Sequence, residues 1–294
     1  MPILVGKEVS NTGLGLMLNC WNGADFYGTP SANSLHLLKR YFTKFPEDAD
    51  KVVVSIKSGI VDMKTFTMDG SPEAVRKFKI DIFGIGRVDL KVPVTDTVKA
   101  LADLVSEGVI GGIQLSEVGA DTIRRAASVA KIEMVEAEVS LWATEVFHNG
   151  VAETCSGLGI PIVAHTPLGA GMLTGNLKSP DDLPPNDYHR FFPRFQAANF
   201  HKNLELVDEL NKSAAEKGCT TAQLALNWIK VQSRRPGVPP LIPVFGARSP
   251  DRVAENTKFV DLTEEDCKKI DSILSSFPIA GARYPAQGMN LVEY

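Results

Sequence analysis

No apolar run in this 294-residue chain approaches the roughly 20 residues that a bilayer-spanning helix needs, so no membrane segment is expected. The opening MPILVGKEVS also lacks the long apolar core of a secretory signal. Positive charge is not in excess. Lys and Arg number 31 against 35 Asp and Glu, and a net charge of -4 argues against a nucleic-acid partner. Cysteine is scarce and scattered: Cys20, Cys155, Cys219 and Cys267 form no C-x-x-C pair. That spacing suits free thiols in a reducing cytoplasm better than a disulfide framework or a metal site. The five histidines show no ligand spacing, so no metal is expected. P-loop, H-E-x-x-H and G-x-S-x-G motifs are all missing. Gly13-Leu14-Gly15 begins like a dinucleotide fingerprint, but Leu18 stands where the third glycine belongs.

What is present is a recurrent pattern of apolar β-rich runs. After a hairpin-like start (Ile3–Val5, Glu8–Ser10) they fall at Gly13–Met17, Cys20–Asn22, Val52–Lys57, Asp81–Val88, Val109–Leu115, Met134–Glu138, Ile160–His165 and Leu241–Val244. Most are continuous rather than alternating, as expected of parallel strands buried on both faces. Helical stripes lie between most of them, for example Leu35, Leu38, Phe42 and Phe45, or Val98, Leu101 and Val105. Eight strands with intervening helices predict a (β/α)8 TIM barrel, and no linker divides residues 1–294, so one domain is expected. Thr263-Glu264-Glu265-Asp266 reads as a capping box opening a late helix. Between Thr166 and Phe200 the periodicity dissolves into a long loop, a lid over the site or a surface excursion.

One connection breaks the pattern. Parallel neighbours need a crossover of roughly 10–12 residues, yet only Leu18 and Asn19 separate Met17 from Cys20. Either the first run is not a barrel strand or the first barrel helix is lacking. The helix expected at Pro72–Phe78 is also about two turns too short to cover a barrel face.

Catalytic groups of such barrels sit at the C-terminal strand ends. Here those ends carry Asn22 with nearby Asp25 and Tyr27, Lys57, Arg87, Ser116 with Glu117, Glu136 with Glu138, and His165. Lys57 closes an apolar run, where an ammonium needs a partner or a function. Beside a tyrosine it favours the phenolate and makes the phenol a usable general acid. After the eighth strand, Ser249 as N-cap and Pro250 at the first helical position form a helix start suited to an anion, flanked by Arg248 and Arg252. On residues alone, that anion could belong to a cofactor or to a phosphorylated substrate.

The segments NGADFYG, VVVSIKSG, IDIFGIGRVD, HTPLGAGMLTG and IPVFGARSPDRVAEN together resemble the aldo-keto reductase family, and within it a fungal pyridoxal-reductase-like branch, from about Gly13 to Arg283. The resemblance implies a barrel that binds NADP(H) at its mouth and reduces carbonyl compounds. Of the family's Asp, Tyr, Lys and His tetrad, it matches Tyr27 and Lys57, while Asn22 takes the aspartate position and Gly86 the histidine position. It further implies cofactor contacts at Ser116, Glu136, His165, Thr166, Leu168, Ser249, Arg252, Glu255 and Asn256, with Glu117 and Glu136 replacing the usual Asn and Gln. Family members also carry a whole helix between the first two strands and more residues between Val75 and Ile80.

The resulting expectation is an NADPH-dependent reduction of a small, pyridoxal-like aldehyde, with Tyr27 as general acid, Lys57 tuning it and Asn22 holding Lys57. Trp21, Phe26 and Trp142 are candidate pocket walls, with core packing an equal alternative for each. The alternative is a catalytically impaired barrel that binds NADPH without turnover. A third reading, a phosphosugar lyase or isomerase, would use Lys57 as a Schiff base.

Overall fold

Residues two apart in a strand share a face, and in this chain that rule sorts buried residues into two chemically different sets. Outward-facing Ile56, Phe83, Ile113, Leu115 and Val135 join the large core packed under the helices. The other face reads Cys20 then Asn22, Val53 then Ser55 and Lys57, Ile82 then Gly84, and Met134 then Glu136 and Glu138. It begins apolar and ends polar, so a ring of such strands has a sealed floor and a reactive mouth.

That ring forms. The computed structural model describes residues 2–292 except 11–12, 15–18, 30, 59, 63–66 and 69–79. Eight parallel strands close a barrel in chain order: β1 (Gly13–Leu14), β2 (Cys20–Ala24), β3 (Val53–Ser58), β4 (Ile80–Ile85), β5 (Ile110–Ser116), β6 (Ile132–Glu138), β7 (Ile162–His165) and β8 (Leu241–Phe245). Beneath it, the N-terminal hairpin (Ile3–Leu4 with Lys7–Glu8) inserts Leu4 and Val9 among Cys20, Val53, Met134 and Ile242. Lys7 Nζ donates to Val52 O (3.0 Å) and pairs with Asp81 (3.1 Å), and the Val5 amide donates to Glu133 (3.2 Å). The hairpin is thus tied to the starts of three strands and closes the barrel's lower end to water.

Of the two alternatives at the first crossover, the structure supports the second: the first run is a barrel strand, and no helix is described between it and the next. β1 does enter the ring, pairing Leu14 with Trp21 on one side and Gly13 with Val244 on the other. Its described length is two residues, against the five expected, and Gly15–Met17 lie outside the described residues. Only residues 15–19 separate Leu14 from Cys20, fewer than the roughly 10–12 of an ordinary crossover. The helix expected at Pro72–Phe78 also lies outside the described residues. Between β3 and β4 the described residues hold one antiparallel pair, Ile60–Asp62 with Thr67–Met68.

The other connections carry helices in the expected places: Ser34–Lys44, Val94–Ser106, Ala120–Ala127 and Val151–Leu158. Asn33 caps the first, accepting from the Leu35 and His36 amides, and His36 completes the capping box with its imidazole. Thr263 and Asp266 form the anticipated capping box of Glu264–Ser276. Ala197–Glu216 and Thr221–Gln232 lie between β7 and β8, so the irregular stretch ends four residues earlier than Phe200. No described helix is long and apolar enough to cross a membrane.

The inner face tolerates no extra atom at β4. A Cβ on Gly84 would stand 2.2 Å from Gln114 O and 2.5 Å from its Cγ, and Gln114 is itself held by Ser55 and by Ile56 O. Gly84→Ala is expected to cost about 2–3 kcal/mol. Gly157→Ala, in an open position on the Val151–Leu158 helix, is expected to gain about 0.5 kcal/mol. Denaturant midpoints of the two variants should therefore move in opposite directions. Equal midpoints would overturn this account of the inner face.

Candidate active site

Lys57 projects inward from the end of β3 and is 2% exposed. Its Nζ donates to Asn22 Oδ1 at 2.7 Å and lies 2.7 and 2.8 Å from the two carboxylate oxygens of Glu136. Asn22 Nδ2 donates to Glu136 Oε2 at 2.7 Å, closing a triangle across the barrel between β2, β3 and β6. Burial alone pulls the ammonium's pKa down. The Glu136 charge, then Tyr27, outweigh burial and hold Lys57 above the ordinary lysine value. Glu136 is the mirror case: burial pushes it up, and Lys57 first, then His165, bring it below the carboxylate range. A lysine paired with a carboxylate in this way is a weaker nucleophile than a free amine, which disfavours a Schiff-base role.

Tyr27 sits just beyond β2, 46% exposed, with Lys57 Nζ 5.3 Å from its ring centroid. The turn that carries it is fixed to β3: the Asp25 amide donates to Lys57 O (3.3 Å) and Ser58 Oγ donates to Asp25 Oδ2 (2.5 Å). At the position expected for a histidine, Gly86 offers only backbone. Beside it, Arg87 donates to Gly86 O (2.6 Å) and Ser116 Oγ (3.3 Å), with its guanidinium 5.7 Å from the Tyr284 ring.

A second charged cluster lies beside the first. Glu117 accepts from the Glu138 amide (2.7 Å), meets His165 Nε2 at 2.7 Å and pairs with Arg283 at 3.0 Å. Arg283 also bridges to Glu138 at 3.2 Å. Burial raises the Glu117 pKa, but the hydrogen bond and charge of His165, followed by Arg283 and Arg87, hold it well below the carboxylate range. Glu138 goes the other way, raised by burial that His165 and Arg283 only partly offset. Glu117 and Thr166, directly after β5 and β7, adopt φ of 55° and 51°. Left-handed backbone at a non-glycine residue costs about 1–2 kcal/mol and concentrates at functional sites.

The long loop is a wall of the pocket rather than a surface excursion. Tyr188, His189, Phe192 and Phe195 line the same pocket as Tyr27, Lys57, Glu136 and His165. Arg194 anchors this wall by donating to Trp142 O (2.7 Å) and Gly281 O (3.3 Å). Asn203, on the Ala197–Glu216 helix, binds both Arg194 O and Ala280 O at 3.0 Å, tying loop and C-terminal segment together. Phe26 and Trp142 line the pocket as anticipated. Trp21 does not: it is buried against Tyr41 and Phe42 in the outer core, because its neighbours Cys20 and Asn22 take the inward face.

Away from these charges, Ser249 caps the Pro250–Thr257 helix and accepts from the Arg252 amide. Arg252 reaches Glu255 at 2.6 Å. Among the described residues, Asn256, 1% exposed, finds a partner for neither its amide oxygen nor its amide nitrogen. A buried amide with both ends unpaired calls for a partner, and a purine offers a matching donor and acceptor. Thr166 and Leu168 lead into Gly169, Ala170 and Gly171, three successive residues with φ of 55°, 53° and 100°. Successive amides in such a turn form an anion-binding concavity. These features fit a dinucleotide.

The sequence therefore located Asn22, Tyr27, Lys57, Glu136 and His165 at one mouth, with Ser116 beside them. Ser249, Arg252, Glu255 and Asn256 form a separate cluster on the helix after β8. Arg194 escaped notice because it lies in the aperiodic loop. Its one signal was indirect: a third strand-end carboxylate, Glu138, with no assigned counter-charge.

The sequence model of the aldo/keto reductase family matches residues 10–275. A probable pyridoxal reductase 2 of Schizosaccharomyces pombe is 35% identical, the match covering 97% of this chain and 90% of the relative. A putative pyridoxal reductase of Saccharomyces cerevisiae is 36% identical, with 90% and 84% covered. The first match runs over 307 aligned positions, more than this chain has residues, so the relative carries internal residues that this chain does not. A glycerol dehydrogenase from Gluconobacter oxydans superposes with a TM-score of 0.75 over 90% of this chain and 83% of that one; at 24% identity the likeness establishes the fold.

The lowered Glu117 value has a measurable consequence. A carboxylate whose folded pKa is depressed contributes stability above its unfolded value, here 4.5, and loses it as pH falls through the folded value. Glu117→Gln should cost about 3 kcal/mol at pH 7, and its gap from wild type should narrow steadily as the pH drops below 4.5. Chemical denaturation at stepped pH checks this. A gap independent of pH would show that the carboxylate's charge is not what stabilises the cluster.

Proposed function

Because the chain belongs to the aldo/keto reductase family, we propose that it is an NADPH-dependent oxidoreductase that reduces a small, pyridoxal-like aldehyde to the alcohol, using residues 1–294 as one barrel domain. The observation that carries this reading is the pairing of an exposed phenol with a buried ammonium: Tyr27 at the pocket mouth, with Lys57 beneath its ring. The substrate class rests on the names of the two pyridoxal reductases and on the aromatic walls Phe26, Trp142 and Phe192, which suit a flat ring. The choice of NADP(H) rests on Arg252 beside the Ser249 cap, a cationic setting for a 2′-phosphate. A further relative in S. pombe, 37% identical over 70% of this chain, bears NADP(+) in its name.

Glu255 and the unpaired Asn256 would hold the adenine, the turn from Thr166 and Leu168 the pyrophosphate, and Ser116, Glu136 and His165 the nicotinamide side. When bound, NADPH supplies the hydride that the carbonyl carbon takes up. The protein's task is the proton. Tyr27 Oη donates it to the carbonyl oxygen, and the O–H bond of the phenol becomes the O–H bond of the alcohol. Lys57, fixed as a cation by Glu136 and Asn22, stabilises the phenolate left behind. Tyr27 is exposed enough to recover a proton from solvent.

A second reading, dinucleotide binding without turnover, is favoured by Gly86, which has no side chain where the family carries histidine. Stopped assays of NADPH oxidation with pyridoxal and an aldehyde panel separate the two. Tyr27→Phe is expected to lower kcat by about 100-fold or more while leaving the dinucleotide Kd, read by fluorescence, unchanged. Near-normal turnover by that variant would overturn the mechanism. Tight binding with no turnover by the wild type would establish the binding module instead.

A further inference from the structure

The triangle at the barrel mouth does more than the two expected roles of its members. Asn22 is neutral and cannot balance an ammonium. Among the described residues, Glu136 is the one carboxylate within ion-pair distance of Lys57, and it faces the ammonium with both oxygens. The remaining acidic groups nearby are committed elsewhere: Glu117 to His165 and Arg283, Glu138 to Arg283, and Asp25 to Ser58. Asn22 then serves both partners at once, accepting from Lys57 and donating to Glu136. The amide acts as a clamp that fixes the carboxylate's angle.

We infer that Glu136 is the positioning residue of the Tyr27–Lys57 pair: its carboxylate, held by Asn22, keeps the Lys57 ammonium charged and placed under Tyr27. The inference rests on the reading of Tyr27 as proton donor, and it changes the part assigned to Glu136. A carboxylate already engaged by Lys57 and Asn22 is acceptor-only. It offers no donor to a nicotinamide carbonyl, and its main work is to hold a cation rather than a cofactor. The charge that the family resemblance places on β2 stands here on β6, beside Asn22 and in contact with the same ammonium. Other groups face this triangle. Cys20 lies below it, its thiol pushed up to about 12 by burial and then by Glu136. Arg87 approaches from the end of β4, His165 from β7, and Glu117 and Glu138 from β5 and β6.

Moving the charge tests the inference. Four proteins are compared: wild type, Glu136→Gln, Asn22→Asp, and the double variant Asn22→Asp/Glu136→Gln, which exchanges amide and carboxylate between the two partners of Lys57. Glu136→Gln is expected to lower kcat for pyridoxal by about 30-fold or more, with KM and the dinucleotide Kd changed less than about threefold. Its alkaline limb should move to lower pH, because the ammonium has lost the charge that keeps it protonated. The melting temperature of the ligand-free protein should fall by several degrees (~5 °C). The double variant should recover about tenfold of the lost kcat and most of the lost melting temperature, since a carboxylate again faces Lys57. Should Glu136→Gln be recovered unfolded, a folded double variant supports the inference and an unfolded one overturns it.

Unchanged kcat and melting with a weakened dinucleotide Kd would overturn the inference and return Glu136 to the cofactor. If wild type proves inactive, the proposed function fails, and melting of the ligand-free variants still decides the pairing. Rescue in the double variant then supports Glu136 as the partner that holds Lys57, and no rescue removes it.

Discussion

An ammonium held inside a closed barrel is the constraint around which the upper half of this molecule is organised. Left alone at that depth, the charge of Lys57 would be lost to deprotonation or would destabilise the fold by several kcal/mol. The barrel answers with a carboxylate from three strands away, made available because Glu136 alternates inward with Met134 and Glu138 along β6. That answer creates the next demand, since Glu138 comes inward with it. Arg283 reaches Glu138 from the end of the chain, and Arg194 stands behind it from the loop before the longest helix. Charge balance at the mouth thus recruits segments far apart in sequence.

The floor makes this possible. Leu4 and Val9 fill the lower end, and Lys7 and Val5 are fastened to strand starts, so the charged layer rests on an apolar floor. A low-dielectric floor strengthens every interaction above it. β1 fits the same logic. Its two described residues contribute backbone pairing to both neighbours and close the ring. The polar layer is built from β2 to β7 and needs no side chain from β1.

Legibility in the sequence divided along the same line. Asn22, Lys57, Ser116, Glu136 and His165 could be placed because each ends an apolar run and barrel geometry sends such ends to one mouth. Ser249 and Pro250 could be placed because capping is local. The partnership of Lys57 with Glu136 could not, because nothing in the chain says which inward residues meet across a ring. Arg194 was hidden for a related reason: it sits in an aperiodic loop, and its value lies in contacts with Trp142 and Gly281 rather than in any pattern around it. Trp21 stayed open between wall and core because an aromatic beside a strand-end polar residue suits either, and period-two alternation decides for the core. The crossover rule flagged the missing first helix because it depends only on the number of residues between two runs.

The two ends of the proposed cofactor site differ in what they leave unsatisfied. Asn256 is buried with both amide atoms unpaired, while Glu117 and Glu136 have their charges balanced by His165, Arg283 and Lys57. A ligand gains most where the protein's own groups lack partners, since pairing a buried orphan removes a penalty already present in the free protein. Binding energy on the proposed reading is therefore concentrated at the adenosine end, remote from the reacting carbon. The mouth, with its charges already matched, has little to gain from a ground-state ligand. Its interactions strengthen when a new charge develops near Tyr27, and preferential stabilisation of that moment over the bound ground state is what accelerates a reaction.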